Sequence, residues 1–205
     1  MAFMADIYGP NGLPPAGNFA SSGRQGSSTP GRSWVRRAEH DRRARSRLDW
    51  IDGEGVIVLN DRRLPRSKQP ISLIAVSAAG VFVVETKHYK GLVHTRRSGP
   101  IVDLGPDELH VGRRDCTPQV NRVAGHVAAI RDLVASTTEG LAVPTRAVLC
   151  LTRAAWAFAS AIEISGVCVA WPQHVAGQVQ APGTLDRAAV HRLSALLADR
   201  LPTAR

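Results

Sequence analysis

Cysteine is scarce in this chain, and the three present, Cys116, Cys150 and Cys168, form neither an even set nor a C-x-x-C pair. That excludes a disulfide framework and a cysteine zinc site. Cys150 and Cys168 fall inside apolar runs and read as buried, reduced thiols. The histidines are scattered, with no i, i+4 pair and no H-E-x-x-H, so a histidine metal site is not expected. No stretch approaches the roughly 18 consecutive apolar residues of a membrane span. The opening MAFMADIYGPNG lacks a basic segment followed by an apolar one, so no secretory signal is read. A cytoplasmic protein without a membrane partner is the expectation. No internal repeat appears.

Acidic residues are also in short supply. Lys and Arg number 26 against 17 Asp and Glu, a net charge of +9, with an isoelectric point near 10.6. That sign suits a phosphate backbone, which basic proteins bind largely by releasing counterions. The charge is clustered: Arg36, Arg37, Arg42, Arg43, Arg45 and Arg47 crowd the segment 32–47, with a second group at Arg62, Arg63, Arg66 and Lys68. Arg96, Arg97, Arg113 and Arg114 follow further on. Clustering of this kind is the footprint expected of nucleic-acid contact. A GC-rich genome, which inflates Arg and Ala everywhere, or an anionic protein partner would leave the same mark.

What is present sorts into segments. Residues 1–32 are dominated by Gly, Pro, Ser, Asn and Ala and cannot bury enough surface to offset their ordering entropy, which predicts a disordered tail. A helix is expected over about 34–50, and a second, or its continuation, to about Leu64, where Pro65 stops it. Strands are expected at about 70–77, 80–88, 91–97 and 108–112. Val120, Val123, Val127, Ile130 and Val134 recur at three and four and predict one helical face packed over a sheet. PTRAVLCLT and GVCVAWP read as buried strands. A last helix carries Val190, Leu193, Leu196, Leu197 and Leu201 on one side. Trp50, Trp156 and Trp171 read as core or edge packing, whereas Trp34, set among arginines, is a candidate for base stacking.

Chemistry concentrates in GVFVVETKHYKG, residues 80–91. Side chains alternate along a strand, so Glu85 and Lys87 share a face while Thr86 turns away. A carboxylate there can anchor Mg²⁺ or Mn²⁺ beside a scissile phosphate, and an ammonium can steady the charge developing on phosphorus. E-x-K alone is weak evidence, since a surface Glu/Lys pair ending a strand is common. The preceding ISLIAVSAAG adds a strand and a tight turn, making a hairpin with the site at its exit. His88 and Tyr89, next in line, read either as phosphate or base contacts or as a half-exposed surface pair.

This hairpin resembles the NERD, or nuclease-related domain, family, whose core pattern is an apolar strand, a Gly/Pro turn and a strand ending in E-T-K. DGEGVIVLNDRRL at 52–64 resembles the family's opening helix and puts Glu54 at its acidic position. GLVHTRRSGP, ELHVGRRD, VPTRAVLCLT and ISGVCVAWPQHV follow in the family's order, so the likeness spans about residues 45–178. The resemblance implies a restriction-endonuclease-like α/β fold, with a mixed central sheet flanked by helices. It also implies metal-dependent phosphodiester hydrolysis of nucleic acid, DNA first, with Glu85 and Glu54 as metal ligands. Catalysis would rest on Glu85, Lys87, Glu54 and a glutamine. Many nucleases of this broad class act as pairs, which makes a homodimer an expectation.

Two departures stand out. Counting back from Gly80 without gaps, the family's metal-binding Asp falls on Ser72 and its adjacent His on Leu73. A hydroxyl is a poor substitute for a carboxylate toward a hard cation. The family glutamine is met by Gln119 on chemistry and by Arg122 on helical register. Asp61 and Asp103 are the nearest acids that could migrate in, though spacing supports neither. Residues 33–205 are expected as one domain behind the tail. The chain then reads either as a nuclease with an incomplete site or as an inactive nucleic-acid-binding module on the same scaffold, with a scaffold for another anionic partner as the third reading.

Overall fold

The computed structural model describes residues 51, 55–65, 67, 69–97, 107–136, 142–157 and 160–204. The expected tail and first helix, the arginines of 32–47, Glu54, Arg66, Lys68 and Asp103 lie outside these residues. Within them the chain is mixed α/β, built on two mixed sheets and three helices.

The main sheet has six strands in the order β1 (Ile57–Arg63), β2 (Pro70–Ser77), β3 (Gly80–Lys87), β7 (Thr145–Leu151), β10 (Val167–Ala170) and β9 (Ile162–Ile164). Strands β2 (Pro70–Ser77) and β3 (Gly80–Lys87) form the expected hairpin, closed at the Ser77↔Gly80 pair. Their Ile- and Val-rich sequences suit a pleated surface buried on both sides. Gly80 has φ +124° and a Cβ there would stand 2.2 Å from the Pro144 carbonyl oxygen, which accepts from Val81 N at 2.8 Å. Only glycine fits so close a backbone approach.

The segment before Leu64 corrects the helical expectation: Ile57–Arg63 is β1, antiparallel to β2 in the register Ile57↔Val76 to Arg63↔Pro70. The β-branched run Val56-Ile57-Val58 is stiff at χ1 and favours a strand once a partner edge is available. After β3 the chain leaves this sheet. Strands β4 (Gly91–Arg97), β5 (Asp107–Val111) and β6 (Arg114–Asp115) build a second, four-stranded sheet, completed by β8 (Ala154–Trp156) running parallel to β4. The expected mixed central sheet is thus accompanied by a second, smaller one.

Helix α1 (Thr117–Ala135) makes the crossover that returns the chain to β7 (Thr145–Leu151), parallel to β3. Strand β10 (Val167–Ala170) lies parallel to β7, with β9 (Ile162–Ile164) antiparallel at the edge. Helix α2 (Pro172–Val179) was not expected; α3 (Arg187–Arg200) was.

Two apolar layers sandwich the main sheet. One joins Val81, Val83, Ala147 and Leu149 to α1, α3 and the small sheet; the other joins Phe82, Val84, Val148 and Cys150 to α2 and Ile51. All five expected apolar residues of α1 are buried. Each such side chain is worth about 1.5–3 kcal/mol against exposure. In α3 the inner face takes Ser194 while Leu196 is half-buried, because the Ser194 hydroxyl donates to the Val190 carbonyl at 2.7 Å. No described helix is long and apolar enough to cross a membrane.

Candidate functional site

The alternation of β3 carries Val81, Val83, Glu85 and Lys87 on the α1 side of the sheet. Glu85 is buried, at 5% exposure, and Lys87 sits at the strand exit with 25% of its side-chain surface exposed. Their charges pair at 2.6 Å, from Lys87 Nζ to Glu85 Oε1. A buried carboxylate needs such company, since an unpaired one would pay the full cost of leaving water.

The other carboxylate oxygen is met by Ser72. Its hydroxyl donates to Glu85 Oε2 at 3.1 Å and accepts from Thr86 N at 3.4 Å. The residue standing where the family pattern has Asp is therefore in direct contact with Glu85. In the β1–β2 ladder, Asp61 lies between the Asn60↔Leu73 and Arg62↔Ile71 pairs, opposite Ser72, with a left-handed φ of 50°. Asp61, Ser72 and Glu85 thus occupy three adjacent strands.

The helix that covers this end adds a histidine that the sequence pattern does not single out. His126 is buried on α1, and burial pushes its pKa below the ordinary imidazole value. The Glu85 charge works in the opposite direction and Arg122, one turn away, reinforces the lowering. His126 therefore belongs to the electrostatic surroundings of Glu85. The available signal was the i, i+4 spacing of Arg122 and His126 beside the apolar stripe of the helix.

The Gln119 amide reaches Tyr89, two residues past Lys87. Its Nε2 donates to Tyr89 Oη at 3.4 Å, and its Oε1 is buried without a partner among the described residues. The Arg114 guanidinium lies 4.8 Å from the Tyr89 ring centre, a cation–π contact. His88 and Thr152 are hydrogen-bonded through Nδ1 and Oγ1, and Thr152 N donates to the Lys87 carbonyl at 3.0 Å. The residue that follows β7 is thereby tied to the β3 exit.

Among the described residues no group of three or more His, Cys, Asp and Glu side chains is placed to hold a metal ion. Both oxygens of Glu85 already accept hydrogen bonds, and Ser72 supplies no charge. These donors alone do not fit Mg²⁺ or Mn²⁺, which take one or two carboxylates with waters and substrate phosphates. Glu54, the second expected ligand, lies outside the described residues.

Among known families, a family model described as NERD, nuclease-related domain, aligns with residues 36–152. No curated protein and no solved structure matches the chain.

Proposed function

The chain belongs to the nuclease-related domain family, and from that membership we propose that it is a nucleic-acid-binding protein whose cleavage site is disabled at Ser72. The observation that carries this reading is the 3.1 Å hydrogen bond from Ser72 Oγ to Glu85 Oε2. With serine there, the Glu85 and Lys87 charges cancel and the pocket is satisfied without a cation. An Asp in its place would leave a net negative charge, the condition under which a divalent ion is drawn in. Binding needs no such ion. The chain carries a net charge of +9; Lys87 and Lys90 lie at and just after the end of β3, Arg153 just after β7, and Arg114 against Tyr89. The arginines of 36–47 add to the same electrostatic attraction for a phosphate backbone, with DNA the first candidate. Residues 33–205 form the functional unit in this reading.

The test pairs binding with cleavage. Labelled DNA should bind with an affinity that falls steeply as salt rises, while supercoiled plasmid stays intact in Mg²⁺ or Mn²⁺. Ser72→Asp should then gain metal-dependent nicking. Nicking by the unmodified protein that Glu85→Ala abolishes would overturn the disabled-site reading.

That outcome would support a second reading, favoured by the position of Asp61 opposite Ser72. Asp61, or Glu54 from outside the described residues, would join Glu85 in holding Mg²⁺ or Mn²⁺. Lys87 would stand beside the charge developing on phosphorus, with Gln119 or Arg122 to orient water.

A further inference from the structure

Strands β3, β7 and β10 run parallel side by side, and their carboxyl ends lie level: Lys87 pairs with Leu151, and Ala170 with Cys150. Open α/β sheets bind their ligands at this edge. Trp171 directly follows β10, two strands from Lys87, a separation of roughly 10 Å at ordinary strand spacing. Beyond β7 the chain turns through Thr152 and Arg153 into β8, which brings Trp156 to the same edge. The two indoles meet edge to face with centroids 5.1 Å apart, and His174 lies 5.1 Å from Trp171 in turn. All three residues are partly exposed, and Arg153, three residues before Trp156, is exposed. In a chain this poor in aromatics, three contiguous rings bordered by cations at a sheet's carboxyl edge are a combination that suits bases and phosphates together.

We propose that Trp171, backed by Trp156, is a stacking platform for an unpaired base, so that the nucleic acid taken up at this edge is single-stranded. The inference rests on the nucleic-acid reading given above and narrows its substrate class. Duplex bases hide their faces in the stack, whereas a single strand can lay a base on an indole while its phosphates run past Lys87 and Arg153. The Trp156–Trp171 contact fixes the ring, so little side-chain freedom is lost on binding.

Anisotropy titrations of a labelled single-stranded oligonucleotide and of the matching duplex, over a salt series, test this with Trp171→Leu and Trp171→Phe. Trp171→Leu should weaken single-strand binding about 5- to 100-fold, leaving the slope against salt and the duplex affinity unchanged. Trp171→Phe should keep most of the affinity. Single-strand binding should also quench tryptophan emission in the unmodified protein more than in Trp171→Phe, a readout that does not depend on Trp171→Leu folding. Unchanged single-strand affinity in Trp171→Leu, equal losses on both ligands, or equal quenching in both proteins would overturn the platform. Failure of the unmodified protein to bind either ligand would overturn the nucleic-acid reading itself.

Discussion

Burial pushes the pKa of His126 down while the Glu85 charge holds it up, so the two residues are coupled across the packing of β3 against α1. The coupling is a property of the site that the E-x-K pattern alone does not contain, and it has a measurable sign.

His126 in the folded protein titrates below its ordinary value of 6.5. As pH falls, the unfolded chain takes up this proton first, so stability is complete above about 6.5 and is lost as pH drops toward the folded pKa. Removing the Glu85 charge should depress the folded pKa further. Histidine signals followed by NMR should move His126 to lower pH in Glu85→Gln, and an unmoved titration would refute the coupling.

Glu85→Ala leaves the Lys87 ammonium and the Ser72 hydroxyl without their common acceptor. Because Lys87 keeps partial solvent access, the expected destabilisation is about 2 kcal/mol, below that of a fully buried pair. Glu85→Gln, which retains an acceptor, should lose less. Urea unfolding of the three proteins checks the order.

Ser72→Asp has a signature separate from activity. Two carboxylates across adjacent strands repel, so the variant should melt below the unmodified protein in chelator, by up to about 1 kcal/mol of stability. Mn²⁺ should restore it by mass action on the folded state, and should leave the unmodified protein unchanged. Thermal melts with and without the metal distinguish the two.

Burial pushes the Cys150 thiol up to about 12 from an ordinary 9.0. The unfolded chain releases this proton first, so the stability it contributes is whole below about 9 and is lost as pH rises toward 12. Melting temperature should fall over that window, less so in Cys150→Ala. Cys150 should also resist alkylation in the native protein, since the thiolate is the nucleophile.

The α2–α3 connection supplies a test of the packing. The Asp186 carboxylate accepts from Ala189 N at 2.6 Å at the start of α3, so Asp186→Ala should cost about 1 kcal/mol in urea unfolding.

The hairpin was legible because its apolar residues fill both faces of two strands and the turn falls on a glycine that nothing else can replace. Helices α1 and α3 were legible from spacings of three and four. Strand β1 was not, since its identity depends on β2 as a partner, and the three-residue strands β8 and β9 are too short to carry a period. Helix α2 did leave a signal, with Pro172 at its first turn and Val175, Ala176 and Val179 on one side. In the site, Glu85 and Lys87 share a face by local geometry alone, which is why period 2 sufficed. Counting back through the tight turn put Ser72 at the family's Asp position, and the hairpin register then sets it against Glu85. His126 and Trp171 reach the same end of the sheet through a crossover and a distant strand, relations that no local spacing encodes.

Beyond the 36–152 segment that matches the family, the chain continues to contribute neighbours. Residues 202–204 run along the outer side of β1, where Arg63 N donates to the Pro202 carbonyl at 3.0 Å and Ala204 N to that of Asp61 at 2.7 Å. At the other side of the meander, β10 covers the flank of β7. A fragment cut at residue 152 would bare both flanks at once, each a row of unsatisfied amides ready to recruit another chain. Its expected fate is aggregation rather than a smaller working protein, so the minimal expressible unit is set by sheet closure and not by the reach of the family pattern.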